Sequence, residues 1–132
     1  MAAGKYSFII EQGATVDFEI VYKNPDGTPV VLDGYTASMQ IKSAPGGTTF
    51  ASLTGQSTDT FSQTASGSYI SLKGSNNATS LTSGSIGIYL GHAVTNDFNF
   101  GEAVYDLELE NDNVKTRLLE GKVQLSKQVT TI

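Results

Sequence analysis

The stretch that decides the fold runs from Gly101 to Leu125 and reads GEAVYDLELENDNVKTRLLEGKVQL. Apolar and acidic residues alternate along its first half, and a period of two residues is typical of a strand with one buried face. The apolar set is Ala103, Tyr105, Leu107 and Leu109, and the acidic set is Asp106, Glu108 and Glu110. Residues 111–113, Asn-Asp-Asn, predict a tight turn because these residue types tolerate left-handed backbone conformations. A return strand follows, and the whole stretch predicts an antiparallel hairpin with Leu119, Val123 and Leu125 facing inward.

The same alternation recurs near the N-terminus. The stretch from Ala14 to Tyr22 predicts a strand with Val16, Phe18, Ile20 and Tyr22 on one face. The sequence Asn-Pro-Asp-Gly at 24–27 is a strong turn signal, because Pro presets one backbone angle and Gly accepts a positive φ. A further strand is predicted from Tyr35 to Lys42, with Tyr35, Ala37, Met39 and Ile41 inward. Residues 6–10 predict a short first strand.

The middle of the chain has a different composition. Between Ser43 and Gly101 the only charged residues are Asp59, Lys73 and Asp97, and Ser, Thr, Gly and Asn fill most of the rest. Such a composition is also found in flexible linkers. Apolar groups nevertheless recur at strand spacing, at Phe50 and Leu53, at residues 69–72 and at residues 86–90. We therefore expect short strands joined by loops, with one helical turn around Ala93 and Val94.

Seven or eight short strands with frequent turn signals predict an all-β fold, an antiparallel β-sandwich, with a small barrel as the alternative. A chain of 132 residues accommodates one core, so we expect a single domain over residues 1–132. The predicted core residues are Phe18, Ile20, Met39, Ile41, Ile88, Leu90, Tyr105, Leu107, Leu109 and Val123.

Composition narrows the possible partners and compartments. The net charge of −5 argues against nucleic acid as a partner, because non-specific affinity for it comes from clustered Lys and Arg. The absence of cysteine excludes disulfides and thiolate metal sites. The apolar cluster before Glu11 is too short for a signal-peptide core, and no run approaches the roughly 20 apolar residues that cross a bilayer. We expect a chain made in a cytoplasm without membrane association.

Few residues suggest chemistry. His92 is the only histidine, so any metal cluster or nucleophile–base pair that uses imidazole depends on it, and the sequence supplies no orienting partner. Asp106, Glu108 and Glu110 could form a cation site or a catalytic carboxylate pair, as could Asp17 with Glu19. A solvated strand face needs the same pattern, and Lys115, Arg117 and Lys122 could lie opposite these acids as cross-strand pairs. We expect no catalytic residues, no metal and no cofactor.

Two further motifs are better explained as structure. Asp26-Gly27 and residues 111–113 share residue types with calcium loops, but the ligand spacing and the distal Glu are missing, so we expect turns. Asn77-Ala78-Thr79 fits an N-glycosylation acceptor, a pattern that arises often by chance.

Several stretches together carry a resemblance. They are GATVDFEIVYKNPDGTPV at 13–30, LDGYTASMQIK at 32–42, VYDLEL at 104–109 and RLLEGKV at 117–123. This combination resembles small virion proteins of tailed bacteriophages, and above all the immunoglobulin-like sandwich at the N-terminus of baseplate upper proteins and in related tail or neck components. Asp33 stands where that pattern commonly has Thr, and the segment 43–101 has no counterpart in it. The resemblance covers roughly half of the chain.

The resemblance implies a non-catalytic structural component of the virion. The partners that it implies are other virion proteins, and they could include further copies of the same chain in a symmetric ring. Two alternatives remain open. A capsid decoration protein would share the fold and differ in its position on the particle. A carbohydrate-binding or adhesin-like sandwich would contact the host surface through exposed Tyr69, Tyr89 or His92, although the chain lacks the Trp that such platforms favour.

Overall fold

A computed structural model describes residues 4–129. Nine strands lie within this range: β1 (Gly4–Lys5), β2 (Phe8–Glu11), β3 (Val16–Val21), β4 (Thr36–Lys42), β5 (Thr49–Gln56), β6 (Ser68–Ser71), β7 (Ser85–Leu90), β8 (Glu102–Asn111) and β9 (Val114–Ser126). One short helix, α1 (His92–Asn96), and two 3₁₀ turns, Ser75–Asn77 and Leu81–Ser83, complete the described secondary structure. None of these helical segments is long and apolar enough to cross a membrane.

The strands form two sheets. The larger sheet has the order β1-β9-β8-β4-β5, with β2 also paired to β9, and the smaller sheet has the order β3-β7-β6. Side chains from both sheets share one buried cluster, so the sheets pack face to face. This strand order is that of an immunoglobulin-like sandwich. One extra strand, β5, lies at the edge of the larger sheet, next to β4. The predicted immunoglobulin-like β-sandwich is therefore confirmed, and the chain does not close into a barrel.

The N-terminal strand departs from the predicted antiparallel arrangement. Both β1 and β2 run parallel to β9, with Gly4 opposite Leu119 and Ile10 opposite Leu125. The ladder is interrupted between them because the hydroxyl of Ser7 accepts the hydrogen bond of the Lys122 amide at 3.1 Å, where a backbone carbonyl would otherwise bind. This interruption divides one strand into two and raises the number of strands above the predicted seven or eight.

The core contains all ten predicted residues. Eight are buried, and Phe18 and Ile20 are half-buried and pack against them. These two are less covered because β3 is an edge strand of the smaller sheet. The hairpin prediction is also confirmed, since β8 and β9 pair in antiparallel register around a turn in which Asp112 and Asn113 both have positive φ.

The charge-poor segment is part of this core and is not a linker. It supplies β5, β6, β7 and α1, which include two of the three strands of the smaller sheet. All six residues of β7 are buried, as is typical of a central strand covered on both faces. The predicted short strands and helical turn are thus confirmed for this segment.

The two sheets come closest where a glycine lies against a backbone carbonyl. A Cβ atom placed on Gly55 of β5 would overlap the carbonyl oxygen of Ile70 in β6. Because the obstacle is backbone, it could move only if one strand shifted against the other. Gly55 is therefore the residue that allows β5 of the larger sheet to contact β6 of the smaller one.

Tyr105 ties the N-terminal strand to the centre of the larger sheet. Its side chain is buried, and its hydroxyl donates a 2.6 Å hydrogen bond to the carbonyl oxygen of Tyr6. Gly121, directly opposite Tyr105 on β9, leaves the space that this carbonyl needs, because a Cβ there would overlap it. Burial, together with the neighbouring Tyr6, raises the pKa of Tyr105 from 10.0 to about 12.

We predict that Gly55→Ala destabilises the protein by about 1–3 kcal/mol, because the added methyl group overpacks the contact between the sheets. Gly101→Ala is the matched control, since a Cβ at Gly101 meets nothing within 4 Å. Its free energy of unfolding should change by less than about 1 kcal/mol. Urea denaturation of both variants measures the difference. Equal destabilisation would show that the described contact between β5 and β6 is wrong.

We predict that Tyr105→Phe lowers the free energy of unfolding by about 1 kcal/mol at neutral pH, because the hydrogen bond between the Tyr105 hydroxyl and the Tyr6 carbonyl is lost. The raised pKa means that the native state favours the neutral phenol. The resulting stabilisation is complete below pH 10 and is lost as the pH rises from about 10 to about 12. The gap between the wild type and Tyr105→Phe should therefore shrink over that range in urea denaturation, and a constant gap would contradict this account.

Candidate interaction face

The outward side of the larger sheet carries most of the cations of the chain. Since alternate residues of β8 are buried, the residues between them point outward and form an acidic row. Cations of β9, β1 and β4 lie on either side of that row. We call this surface the charged face. Its acidic residues are Glu102, Asp106, Glu108, Glu110 and Glu120, and its basic residues are Lys5, Lys42, Lys115, Arg117 and Lys122.

A tight turn and a β-bulge together set the register of β8 and β9. Arg117 lies opposite Glu108 and Lys115 lies opposite Glu110, and the turn at Asp112 and Asn113 fixes these two oppositely charged pairs because they lie between the turn and the bulge. The register then shifts between Leu107 and Glu108, so that Leu118 has no partner of its own. Beyond this bulge Leu119 lies opposite Leu107 and Val123 opposite Ala103, so the shift is what turns the apolar residues of β9 toward the core.

The predicted cross-strand pairing holds for two of the three cations. Lys115 and Arg117 face Glu110 and Glu108 as expected, but Lys122 lies opposite Val104, so that part of the prediction is wrong. The ammonium group of Lys122 instead lies 4.0 Å from the carboxylate of Glu102, one pair of residues further along the sheet. Lys122 is too far from the turn to face any of the three acids, since even without the bulge it would lie opposite Ala103.

Two shorter ion pairs cross the same surface. The Lys5 ammonium donates to the Glu120 carboxylate at 2.8 Å and holds the pKa of that carboxyl below its usual value. The Arg117 guanidinium lies 3.4 Å from the Asp106 carboxylate, and both side chains are substantially exposed. Exposed ion pairs of this kind stabilise a fold only slightly, because water screens them. Their arrangement has more consequence for what the face can bind than for folding.

The charged face is concave. An open depression of about 520 Å³ lies over β8 and β9, and the loop between β4 and β5, residues 44–46, forms part of its wall. Lys42 and Lys122 lie on opposite sides of Val104 at one end of it. Most of the residues that line it have long charged side chains, whose aliphatic stems form much of its surface, and such a lining suits a protein surface better than a small apolar ligand.

The expected aromatic platform is not exposed. Tyr69 and Tyr89 lie opposite each other on the outer side of the smaller sheet, but both are buried. Phe61 stacks on Tyr69 with 4.4 Å between the ring centroids, and the Tyr89 hydroxyl donates to the Thr64 carbonyl at 2.7 Å. The expectation that Tyr69 and Tyr89 are exposed is therefore wrong, and of the three residues named for a glycan contact His92 alone is exposed. The sequence signal for this cover is the pair itself, because two large aromatic side chains on the outer side of a sheet favour a loop that packs over them.

The remaining candidate residues lie apart from one another. His92 is exposed at the first position of α1. Asp17 and Glu19 hold the 3₁₀ turn at 75–77, where Asp17 accepts from the Ser75 hydroxyl at 2.7 Å and Glu19 from the Ser75 amide at 2.9 Å. Among residues 4–129 no three potential ligands gather into a metal site.

The turn motifs are structural, as predicted. The Asp26 carboxylate accepts hydrogen bonds from the hydroxyl and the amide of Thr28, and these bonds lower the pKa of Asp26. The side-chain amide of Asn77 donates to the carbonyl oxygen of Phe61. That hydrogen bond fastens the loop over the tyrosines, so the glycosylation pattern at Asn77 is explained by packing.

Comparison with known proteins adds no further constraint. No protein-family model matches the chain, and a search of curated proteins finds no match. The class that the topology defines is thus an immunoglobulin-like sandwich with a charged, concave sheet face.

Proposed function

We propose that this protein is a non-catalytic structural component of a tailed-phage particle, in the tail, baseplate or neck, and that it acts through protein–protein contacts. The observation that carries the proposal is the placement of the stretches that resemble phage virion sandwiches. Residues 32–42, 104–109 and 117–123 are far apart in sequence, yet they contribute three adjacent strands, β4, β8 and β9, of one sheet. The fourth stretch, 13–30, contributes β3 of the smaller sheet, so three of the four stretches form one continuous structural unit.

The surface of that unit supports a contact role. The outward residues of β4, β8 and β9 belong to the charged face, which is open, polar and close to charge balance. Charges aligned in rows define the register and orientation of a partner, and they discriminate against wrong partners. A subunit that takes a fixed position in an assembly needs such a surface, whereas a catalyst needs acid, base and orienting groups that converge on one point.

The position in the particle is the second part of the proposal. Tail, baseplate and neck are favoured because the resemblance is to components of those structures. Capsid decoration remains the competing role, since a decoration protein would have the same fold and lie on the head of the particle. The buried state of Tyr69 and Tyr89 removes the main support for a carbohydrate-binding role.

We predict that the chain is present in purified particles of the virus that encodes it. Mass spectrometry of gradient-purified particles should detect its peptides at a level comparable with other minor virion proteins. A non-virion protein from the same lysate serves as the control for contamination. If the particles lack the chain while their other structural proteins are present, the proposed function is wrong.

The same particles locate the protein. A labelled antibody against the folded chain should bind at the tail, the baseplate or the neck in electron micrographs. Label distributed over the head would instead identify a decoration protein and would contradict the proposed position.

A further inference from the structure

The net charge of the chain lies outside the charged face. Of 13 acidic and 8 basic residues in the sequence, the charged face holds five of each. The rest of the surface therefore carries eight acidic residues against three basic ones and accounts for the whole net charge of −5. Two copies of the chain repel each other through most of their surfaces, and the charged face is where this repulsion is smallest.

From this distribution and from the strand register we propose that two copies of the chain associate through their charged faces, about a two-fold axis that runs between β8 and β9 and parallel to them. The partner is a second copy of this chain. The inference goes beyond the proposed function, because it holds whether or not the protein is part of a particle.

The register makes the face complementary to itself under this symmetry. A two-fold axis along the boundary of two strands places β8 of one copy over β9 of the other at the same height. Within one chain, each residue of β8 has a cross-strand neighbour on β9. Across the dimer, the same residue of β8 faces that β9 residue in the second copy. Glu108 therefore meets Arg117 of the second copy, and Glu110 meets its Lys115. Each contact occurs twice, so the dimer has four oppositely charged contacts between copies.

One like-charged pair also lies on this path. Asp106 and Glu120 are cross-strand neighbours, so the same symmetry brings them together. Each already has a cation in its own chain, Arg117 at 3.4 Å from Asp106 and Lys5 at 2.8 Å from Glu120. Each carboxylate therefore meets the other as part of an ion pair, and the nearby cations reduce the repulsion between the two carboxylates.

The face is large enough for a dimer. About this axis β5 has no strand of the second copy opposite it, so the faces overlap over four strands. Four strands spaced by about 4.8 Å and about nine residues long cover roughly 600 Å² on each copy, which is the size of a small, weak interface. The contacts are charged and partly exposed, so the affinity should be modest and should fall as salt is added. The depression over β8 and β9 leaves room for the long side chains of the facing copy.

The experiment measures the mass of the full chain in solution by sedimentation velocity. At about 20 mM salt, where the Debye length is roughly 20 Å, the mass should rise from 13.9 kDa toward twice that value as the concentration increases from about 1 to about 100 μM. At about 500 mM salt the protein should be mostly monomeric, because the Debye length is then roughly 4 Å. A wild-type protein that stays monomeric at low salt over this range overturns the proposal.

Charge reversal tests the face and the axis together. Glu108→Lys and Arg117→Glu should each abolish the dimer, because each variant places like charges against each other twice. An equimolar mixture of the two variants should form a dimer again, since Lys at 108 of one copy then faces Glu at 117 of the other. Failure of the mixture to associate, while the wild type dimerises, overturns the proposed axis.

Matched controls separate the face from total charge. Asp97→Lys and Lys23→Glu make the same changes in charge at exposed positions outside the charged face. Both should dimerise to within about threefold of the wild type. Thermal unfolding by circular dichroism confirms that every variant is folded. If Glu108→Lys and Arg117→Glu are folded and still dimerise as the wild type does, the contact lies elsewhere and the proposal is wrong.

Discussion

The burial of one side of β8 is the constraint on which the rest of the structure depends. β8 lies between β4 and β9, and Ala103, Tyr105, Leu107 and Leu109 point from it into the core. Because side chains alternate along a strand, burying these four apolar residues forces the acidic residues between them to the outside. The fold and the charged face are therefore two results of one pattern in the sequence.

This dependence explains how much of the molecule could be predicted. The alternation in β3, β4 and β8 was strong enough to give the strands, the inward residues and the class of fold. The parallel pairing of β1 and β2 with β9 could not be predicted, because it joins the two ends of the chain and leaves no local signal. The bulge at Leu118 is also invisible in a pattern of residue types, although it decides which residues of β9 beyond it face the core.

The aromatic residues show a different limit. Tyr69 and Tyr89 were expected on the surface because their strands were recognised and their outward direction was correct. What covers them is a loop with little regular structure, held by Phe61, by Asn77 and by the carbonyl of Thr64. Propensity gives no position for such a loop, because its contacts come from tertiary packing. A buried pair of tyrosines on the outer side of a sheet thus stabilises the smaller sheet and does not form a binding platform.

Taken together, these features separate a part of the molecule that maintains the fold from a part that is available for contact. The core and the covered side of the smaller sheet are closed by packing, whereas the charged face is supported by strands and gains little stability from its own ion pairs. The functional account rests on this face, because its charge is balanced while the rest of the surface is acidic.

Amine labelling of the chain within intact particles tests the central claim most directly. Lys115 and Lys122 lie on the charged face, and Lys23 and Lys73 lie outside it. If the charged face is the contact surface, Lys115 and Lys122 should react several-fold more slowly in the particle than in the free monomer, both labelled at about 500 mM salt, with Lys23 and Lys73 nearly unchanged. Equal labelling of Lys115 and Lys122 in both states would contradict the account.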